Sequence, residues 1–197
     1  MFTPQNIILA CWVIFVAYWA VSSIGVKKNI KGNSWLQGMR FRLTVILILL
    51  FFDRTIPSLG HFLRSLVAGH FLQFSNTSNG ILGSIGATLT VIGIAFAIWA
   101  RVHLGRNWGM PMSVKENPDL ITTGPYTYVR HPIYTGMLAA MLGSAFANSL
   151  VWFVIFAIFL VYVLYSIQQE ETLMTKTFPK EYPAYKKRTK ALIPFIL

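Results

Sequence analysis

The sequence predicts an all-α integral membrane protein of about five transmembrane helices, in which the last two helices form a hairpin and a cytosolic helical tail follows. The 197 residues are 55% hydrophobic and only 12% charged, whereas soluble domains carry about 25% charged residues. The mean hydropathy is +0.57, and apolar runs that approach the length needed to cross a bilayer recur along the chain. These observations exclude a water-soluble globular enzyme.

The basic residues predict the orientation of the chain in the membrane. Seventeen Lys and Arg residues against six Asp and Glu give a net charge of +11. Fifteen of the seventeen fall in three polar segments, residues 27–42, 101–130 and 176–190. A topology with five spans places these three segments on the same side of the membrane. Since basic loops remain in the cytosol, the N-terminus is predicted outside and the C-terminus in the cytosol. The charge therefore needs no nucleic-acid partner to account for it.

Residues 1–100 predict three membrane spans with connecting loops. The first span covers residues 7–26, and the second begins at residue 41, is interrupted by charges and a proline after residue 52, and is followed by an interfacial segment. The third span covers residues 81–100. Its small residues recur at helical spacing, which favours close packing of membrane helices over a nucleotide-binding glycine loop. They are Gly83, Gly86, Ala87, Gly93 and Ala97.

Residues 101–197 form the second predicted region. It begins with the longest polar stretch, 101–130, and continues with two apolar runs, 133–147 and 150–167, which are separated only by Asn148-Ser149. Two helices of about 22–27 Å joined by so short a turn predict a helical hairpin over 132–167. The chain becomes polar from Gln168 on, so the fifth span is expected to end there, before a basic amphipathic tail.

Two polar clusters meet at the mouth of this hairpin. Arg130 and His131 precede Pro132, which suits the first turn of a helix. Both side chains are therefore expected at a helix N-terminus, where free amide groups and the helix dipole favour an anionic ligand. An interfacial role is the equally weighted alternative, in which Arg130 reaches lipid phosphate. Tyr134 lies in the first turn, where it either contacts a ligand or is an ordinary interfacial aromatic residue.

The second cluster is the carboxylate pair Glu170-Glu171 at the predicted end of the fifth span. Adjacent residues on a helix diverge by about 100°, so both cannot face one ligand group. One is expected to face a pocket and the other a basic residue of the tail. No His, Cys, Asp or Glu cluster has metal-ligand spacing, so no metal site is predicted.

Several motifs in residues 99–195 together resemble the isoprenylcysteine carboxyl methyltransferase family and its prokaryotic relatives, which include phospholipid methyltransferases. The Arg-His-Pro-x-Tyr-x-Gly element, followed by Glu-Glu at the end of the next hairpin, is the most specific part of the resemblance. The motifs are Leu104-Gly105-Arg106-Asn107-Trp108, Leu120 to Tyr126, Arg130 to Gly136, Glu170-Glu171, and Phe178, Tyr182, Tyr185 and Leu192-Ile193-Pro194.

The resemblance implies a membrane-embedded methyltransferase that uses S-adenosyl-L-methionine in a cytosol-facing pocket. The methyl acceptor would be a membrane lipid or a lipidated small molecule, such as the carboxylate of an isoprenylcysteine-like compound, and Arg130 would lie near the reacting end as the catalytic residue. The implied cofactor-binding residues are Leu120, Ile121, Gly124, Tyr126, His131, Tyr134, Glu170 and Glu171.

Three alternative functions remain at this point. One is a phospholipid amine N-methyltransferase, and another is an NADPH-dependent membrane reductase of the sterol-reductase type. The phosphates of NADPH would need a denser basic cluster than Arg106, Lys115 and Arg130 provide. The third is a non-catalytic membrane scaffold, which gives no reason to keep charges at a helix mouth.

Overall fold

The computed structural model describes residues 3–27, 29–31, 80–109, 114–148 and 150–194, and the second span and interfacial segment predicted between residues 41 and 74 lie outside them. The described part is helical apart from a two-stranded antiparallel pair, β1 (Asn29–Lys31) and β2 (Val114–Lys115). Short 3-10 helices cover Gly105–Asn107 and Gly124–Thr127. The α-helices are α1 (Pro4–Ser22), α2 (Ile81–Leu104), α3 (Pro132–Ala147), α4 (Leu150–Thr177) and α5 (Glu181–Arg188).

Within the described residues, three segments are long and apolar enough to cross a membrane, namely Pro4–Ser22, Ile81–Asn107 and Leu150–Thr177, while α3 is shorter. They confirm an all-α integral membrane protein, with helices at the predicted first, third and fifth spans. Helix α1 lies three to four residues earlier than predicted. Thr3 caps its start by accepting a hydrogen bond from the Asn6 amide, and Gly25, with a φ of 78°, follows its end.

Small residues bring α2 and α3 into backbone contact. A Cβ atom on Gly86 would lie 2.5 Å from the carbonyl oxygen of Gly143, and one on Gly93 would lie 2.5 Å from that of Gly136. All five small residues singled out in the third span are buried, which confirms their predicted role in helix packing. The tightest neighbour of α3 is therefore α2, although α3 also packs against its hairpin partner α4.

The prediction that the last long helix ends near residue 167 is wrong, because α4 continues to Thr177. Its 28 residues give a length of about 42 Å. Gln, Glu, Leu, Met and Lys favour a helix over most of the extension, and the hydroxyls of Thr172, Thr175 and Thr177 find acceptors within the helix, the carbonyls four residues earlier. The predicted carboxylate pair consequently lies inside a continuous helix, which fixes the direction of each side chain.

After α5, the tail returns to the start of α3. The backbone amide of Arg130 donates to the carbonyl of Lys190 at 2.8 Å, and that of His131 donates to Ala191 at 3.0 Å. The hydroxyl of Thr135 donates to the carbonyl of Leu192 at 2.8 Å. These bonds attach the tail to the mouth of the hairpin. They also occupy two backbone donors that the sequence placed at a helix N-terminus for an anion.

Candidate functional site

A cavity of about 590 Å³ lies among α1, α3, α4, α5 and the polar loop between α2 and α3. One part of its wall is apolar and comes from α1, whose Phe15 and Trp19 rings stack with centroids 4.2 Å apart. Another part is polar and comes from the start of α3 and from α4. The cavity therefore offers one environment to an apolar chain and another to a polar group.

The polar part is built by His131 and Tyr134 from the start of α3 and by Glu170 from α4. The Tyr134 hydroxyl donates to Oε1 of Glu170 at 2.5 Å, and the His131 ring stacks beside Tyr134 with centroids 5.9 Å apart. His131 and Tyr134 are three residues apart at the beginning of a helix, so both project toward the same part of the cavity. The arrangement holds one carboxylate oxygen of Glu170 in a fixed position.

His131 stands between the two carboxylates. Its Nδ1 lies 3.5 Å from Oε2 of Glu170, and its Nε2 lies 3.6 Å from Oε1 of Glu171. Burial lowers the pKa of His131, but the two carboxylates outweigh burial and raise the pKa above its ordinary value. Nε2 is buried and makes no hydrogen bond within the described part of the chain.

A group that we call the tail clasp joins Arg130, Glu171 and Lys186. Arg130 Nε and Nη2 lie 2.7 and 2.6 Å from Oε1 of Glu171, and Lys186 Nζ lies 2.5 Å from its Oε2. Nη1 of Arg130 also donates to the carbonyls of Thr189 and Lys186. The side chains of Arg130 and Glu171 are only 9% and 10% exposed. The clasp therefore connects the start of α3, α4 and the tail through a buried pair, Arg130 and Glu171, whereas Lys186 is 51% exposed.

Three tyrosines complete the cavity wall near the tail. The Tyr185 hydroxyl donates to the carbonyl of Tyr126 at 2.6 Å, and Tyr182 lines the cavity beside them. Burial raises the pKa of Tyr126 and Tyr182 well above the usual range, and it raises the pKa of Tyr185 to about 12. All three are therefore neutral around pH 7 and act as hydrogen-bonding aromatic surfaces rather than as anions.

A second group, which we call the loop clasp, joins the chain after α1 to the polar loop. Lys27 Nζ donates to Oδ2 of Asp119 at 2.7 Å, to Oδ1 of Asn107 at 2.8 Å and to the carbonyl of Asn117 at 2.6 Å. The hydrogen bond from Lys27, and then that from Asn107, lower the pKa of Asp119. Asn107 and Asp119 both line the cavity, so the loop clasp holds a second part of its wall.

The structure brings together most of the residues predicted to bind the cofactor. Arg130 lines the same cavity, whereas Gly124 and Glu171 do not. Gly124 has a φ of 60°, and a Cβ atom there would overlap the ring of His103, so it serves the turn and its packing. The six predicted cofactor-binding residues that line the cavity are Leu120, Ile121, Tyr126, His131, Tyr134 and Glu170.

Sequence reasoning missed the contribution of α1 and of the loop clasp. The division at residue 100 placed the whole site in the second region, yet Phe15 and Trp19 line the cavity. In a uniformly apolar helix nothing distinguishes a cavity-facing aromatic residue from one that faces lipid. Asn107 and Trp108 belong to the family motif Leu104 to Trp108, and Asp119 directly precedes the motif Leu120 to Tyr126. Their position in or beside these motifs was the signal that could have identified them as cavity residues.

A family model described as phospholipid methyltransferase matches residues 82–181, which include all but the first residue of α2 and the whole of α3 and α4. A nickel-cobalt-cadmium resistance protein of Alcaligenes xylosoxydans xylosoxydans is 32% identical over 135 residues, which are 67% of this chain and 59% of that protein. A cobalt-zinc-cadmium resistance protein of Cupriavidus metallidurans is 31% identical over 135 residues, 67% of this chain and 58% of that protein.

A protein-S-isoprenylcysteine O-methyltransferase of Schizosaccharomyces pombe is 32% identical over 101 residues, which are 49% of this chain and 43% of that protein. The chain thus spans less than three fifths of the length of each of these relatives. The residues that the family model matches include the Arg130–Tyr134 segment and both Glu170 and Glu171, and they begin after α1.

Proposed function

Because the chain belongs to the phospholipid methyltransferase family, we propose that it transfers a methyl group from S-adenosyl-L-methionine to a lipophilic acceptor. The observation that carries the proposal is the cavity with two kinds of wall, in which a polar triad of His131, Tyr134 and Glu170 and the aromatic surface of α1 line one space. An amphiphilic acceptor and a polar cofactor need such a combination.

The polar residues fit S-adenosylmethionine, which carries an ammonium group, hydroxyls and an adenine ring. Its volume is compatible with a cavity of about 590 Å³. Glu170 would hold the ammonium group or the ribose hydroxyls, since a carboxylate placed against the sulfonium would stabilise the charge that the reaction removes. The ring of His131 and the aromatic surfaces of Tyr126 and Tyr134 would complete the binding site.

When bound, S-adenosylmethionine would supply an electrophilic methyl group for in-line transfer to the acceptor, with S-adenosylhomocysteine as the leaving group. The residues of this chain position the two reactants and exclude water. Arg130 lines the cavity with its guanidinium held by Glu171 and by carbonyls of the tail. We propose it as a fixed cationic part of the wall near the acceptor. In the proposed orientation, the cofactor reaches the site from the cytosol and the acceptor from the bilayer.

The acceptor we favour is a carboxylate of an isoprenylcysteine-like compound. A carboxylate is already ionised at pH 7 and needs no general base, whereas an amine acceptor has to lose a proton. A carboxylate acceptor would therefore need only positioning, which the polar wall of the cavity, including Arg130, would provide. The phospholipid amine is therefore the second candidate.

Isothermal titration of the full chain in detergent or nanodiscs with S-adenosylhomocysteine and with NADPH tests the cofactor. We expect S-adenosylhomocysteine to bind and NADPH not to bind. Glu170→Gln should weaken S-adenosylhomocysteine binding about tenfold, because a charge-assisted hydrogen bond is lost. The control is Glu181→Gln, which removes an exposed carboxylate from α5. NADPH binding without a response to S-adenosylhomocysteine would overturn the proposal.

Methyl transfer from labelled S-adenosylmethionine tests the acceptor. N-acetyl-S-farnesylcysteine and phosphatidylethanolamine are supplied in separate reactions with the reconstituted protein. A methyl ester releases labelled methanol in base, whereas an N-methyl group is stable. We expect base-labile product from the farnesylcysteine compound, and base-stable product from phosphatidylethanolamine alone would assign the second candidate instead.

A further inference from the structure

A second, smaller groove of about 250 Å³ lies where α1 and α2 end. It shares no lining residue with the large cavity. The short 3-10 helix Gly105–Asn107 separates the two spaces, because Asn107 lines the cavity whereas Gly105 and Arg106 line the groove. The remaining residues of the groove are Tyr18, Ser22, Ile24, Gly25, Val26, Arg101 and Val102.

Arg101 places a buried positive charge in this groove. It is 2% exposed, its Nη1 donates to the carbonyl of Gly105 at 2.7 Å, and its Nη2 donates to the carbonyl of Ser22. The guanidinium carbon lies 4.8 Å from the centre of the Trp108 ring. These partners are dipoles and a ring quadrupole rather than anions, so Arg101 has no ion-pair partner within the described residues, and its Nε makes no hydrogen bond there.

The terminal nitrogens of Arg101 already donate to backbone carbonyls, so hydrogen bonds to a ligand in this groove would come from Arg106. It is exposed, and its Nε donates to the carbonyl of Gly25 at 3.1 Å. Among the residues that the structure describes, its two terminal nitrogens make no hydrogen bond. A guanidinium anchored through Nε and free at its terminal nitrogens is suited to the oxygens of a phosphate group.

The surroundings of the two arginines favour the phosphate of a lipid over a free phosphate ion. Ile24 and Val102 line the groove and are 81% and 57% exposed, so they give an acyl chain an apolar surface beside the cations. No carboxylate lines the groove within the described residues. Basic pockets between membrane helices near the membrane surface are a recognised setting for anionic head groups.

We propose that Arg101 and Arg106 form a binding site for the phosphate of an anionic phospholipid, separate from the cavity that holds the methyl acceptor. Arg101 contributes the local positive potential, and Arg106 contributes the hydrogen bonds. Ile24 and Val102 contact the adjoining chain of the lipid. The proposal does not depend on the methyltransferase activity, since the two sites share no residue.

The full chain in nanodiscs of phosphatidylcholine, with and without added phosphatidylglycerol, tests the proposal. Native mass spectrometry measures retained lipid, and thermal unfolding measures stabilisation. We expect preferential retention of phosphatidylglycerol and a higher Tm in its presence. Arg106→Gln should reduce that retention roughly fivefold, as expected for one cation near a membrane surface. Arg188→Gln, which removes an exposed arginine from α5, should leave it unchanged.

Inorganic phosphate added to phosphatidylcholine nanodiscs distinguishes the two sources of phosphate. A Tm increase equal to that with phosphatidylglycerol would overturn the lipid assignment. Equal retention of the two lipids by the wild-type protein, or unchanged retention by Arg106→Gln, would overturn the site itself. Because Arg106 is exposed, its substitution is not expected to prevent folding, so the Arg106 result decides the question even if a variant of the buried Arg101 does not fold.

Discussion

The tail clasp and the loop clasp hold two parts of one cavity wall, and they differ most in burial. Arg130 and Glu171 are 9% and 10% exposed, whereas Lys27 and Asp119 are 23% and 67% exposed. Removing one partner of a buried pair leaves an uncompensated charge in a medium of low dielectric constant. An exposed pair loses little, because water and salt already screen it. The difference predicts a rigid wall near the tail and a weakly held wall near the polar loop.

The largest expected effect is that of Glu171→Gln in the tail clasp. The substitution leaves Arg130 without its carboxylate, which costs about 3–5 kcal/mol for a buried pair and corresponds to a decrease in Tm of roughly 6–20 °C for a protein of this size. Thermal unfolding in nanodiscs measures the decrease. Glu116→Gln, which removes an exposed carboxylate, is the control and should change Tm little.

A decrease in Tm for Glu171→Gln no greater than that of the control would remove the distinction between the two clasps. Arg130→Met combined with Glu171→Leu provides a further check, because replacing both members of a buried pair avoids the unpaired charge. The double variant should recover part of the stability that Glu171→Gln loses.

The pH dependence of stability gives an intermediate effect and again concerns the buried side of the cavity. Since the two carboxylates raise the pKa of His131 above its ordinary value of about 6.5, the folded protein binds this proton more tightly than the unfolded chain. The resulting stabilisation is complete below about pH 6.5 and is lost as the pH rises through the folded-state pKa.

Thermal unfolding of the wild-type protein and of His131→Gln between about pH 6 and pH 9 measures this effect. We expect the Tm difference between the two proteins to decrease as the pH rises. A difference that stays constant, or that grows with pH, would contradict the raised pKa of His131.

The smallest expected effect is that of Asp119→Asn in the loop clasp. This carboxylate is mostly exposed, so Tm should fall by less than about 2 °C. Because Asp119 lines the cavity, we expect binding of S-adenosylhomocysteine to weaken roughly twofold at low salt and by less at high salt. A stability loss as large as that of Glu171→Gln would show that exposure does not separate the two clasps.

Local patterns in the sequence predicted the helices and one of their contacts. Gly86 and Gly93 were seven residues apart in an apolar run, and this spacing alone indicated a close helix partner. The partner helix itself was not predictable. The runs before and after the third span were both apolar, and the short turn after α3 favoured α4 as the main neighbour of α3. The extension of α4 to Thr177 was also missed. A change from apolar to polar residues marks the end of a membrane span, but it does not by itself end a helix.

The candidate site was predicted by residue type but not by direction. The motif around Arg130 and the pair Glu170-Glu171 were found, yet the sequence left open which carboxylate faces the cavity. The structure places Glu170 on the cavity and Glu171 against Arg130 and Lys186. The guanidinium expected to face a ligand is therefore engaged largely by the protein itself.

By itself the sequence determined the membrane class, the helices at the predicted first, third and fifth spans, and the concentration of polar chemistry at one hairpin mouth. These properties follow from hydropathy and charge, which accumulate residue by residue along the chain. Only the tertiary structure decided that α1 lines the cavity, that the tail returns to Thr135, and that the walls of one cavity are held by a buried clasp and an exposed one. Such properties depend on contacts between residues far apart in the chain, as between Arg130 and Glu171 or between Thr135 and Leu192, and on the burial those contacts create.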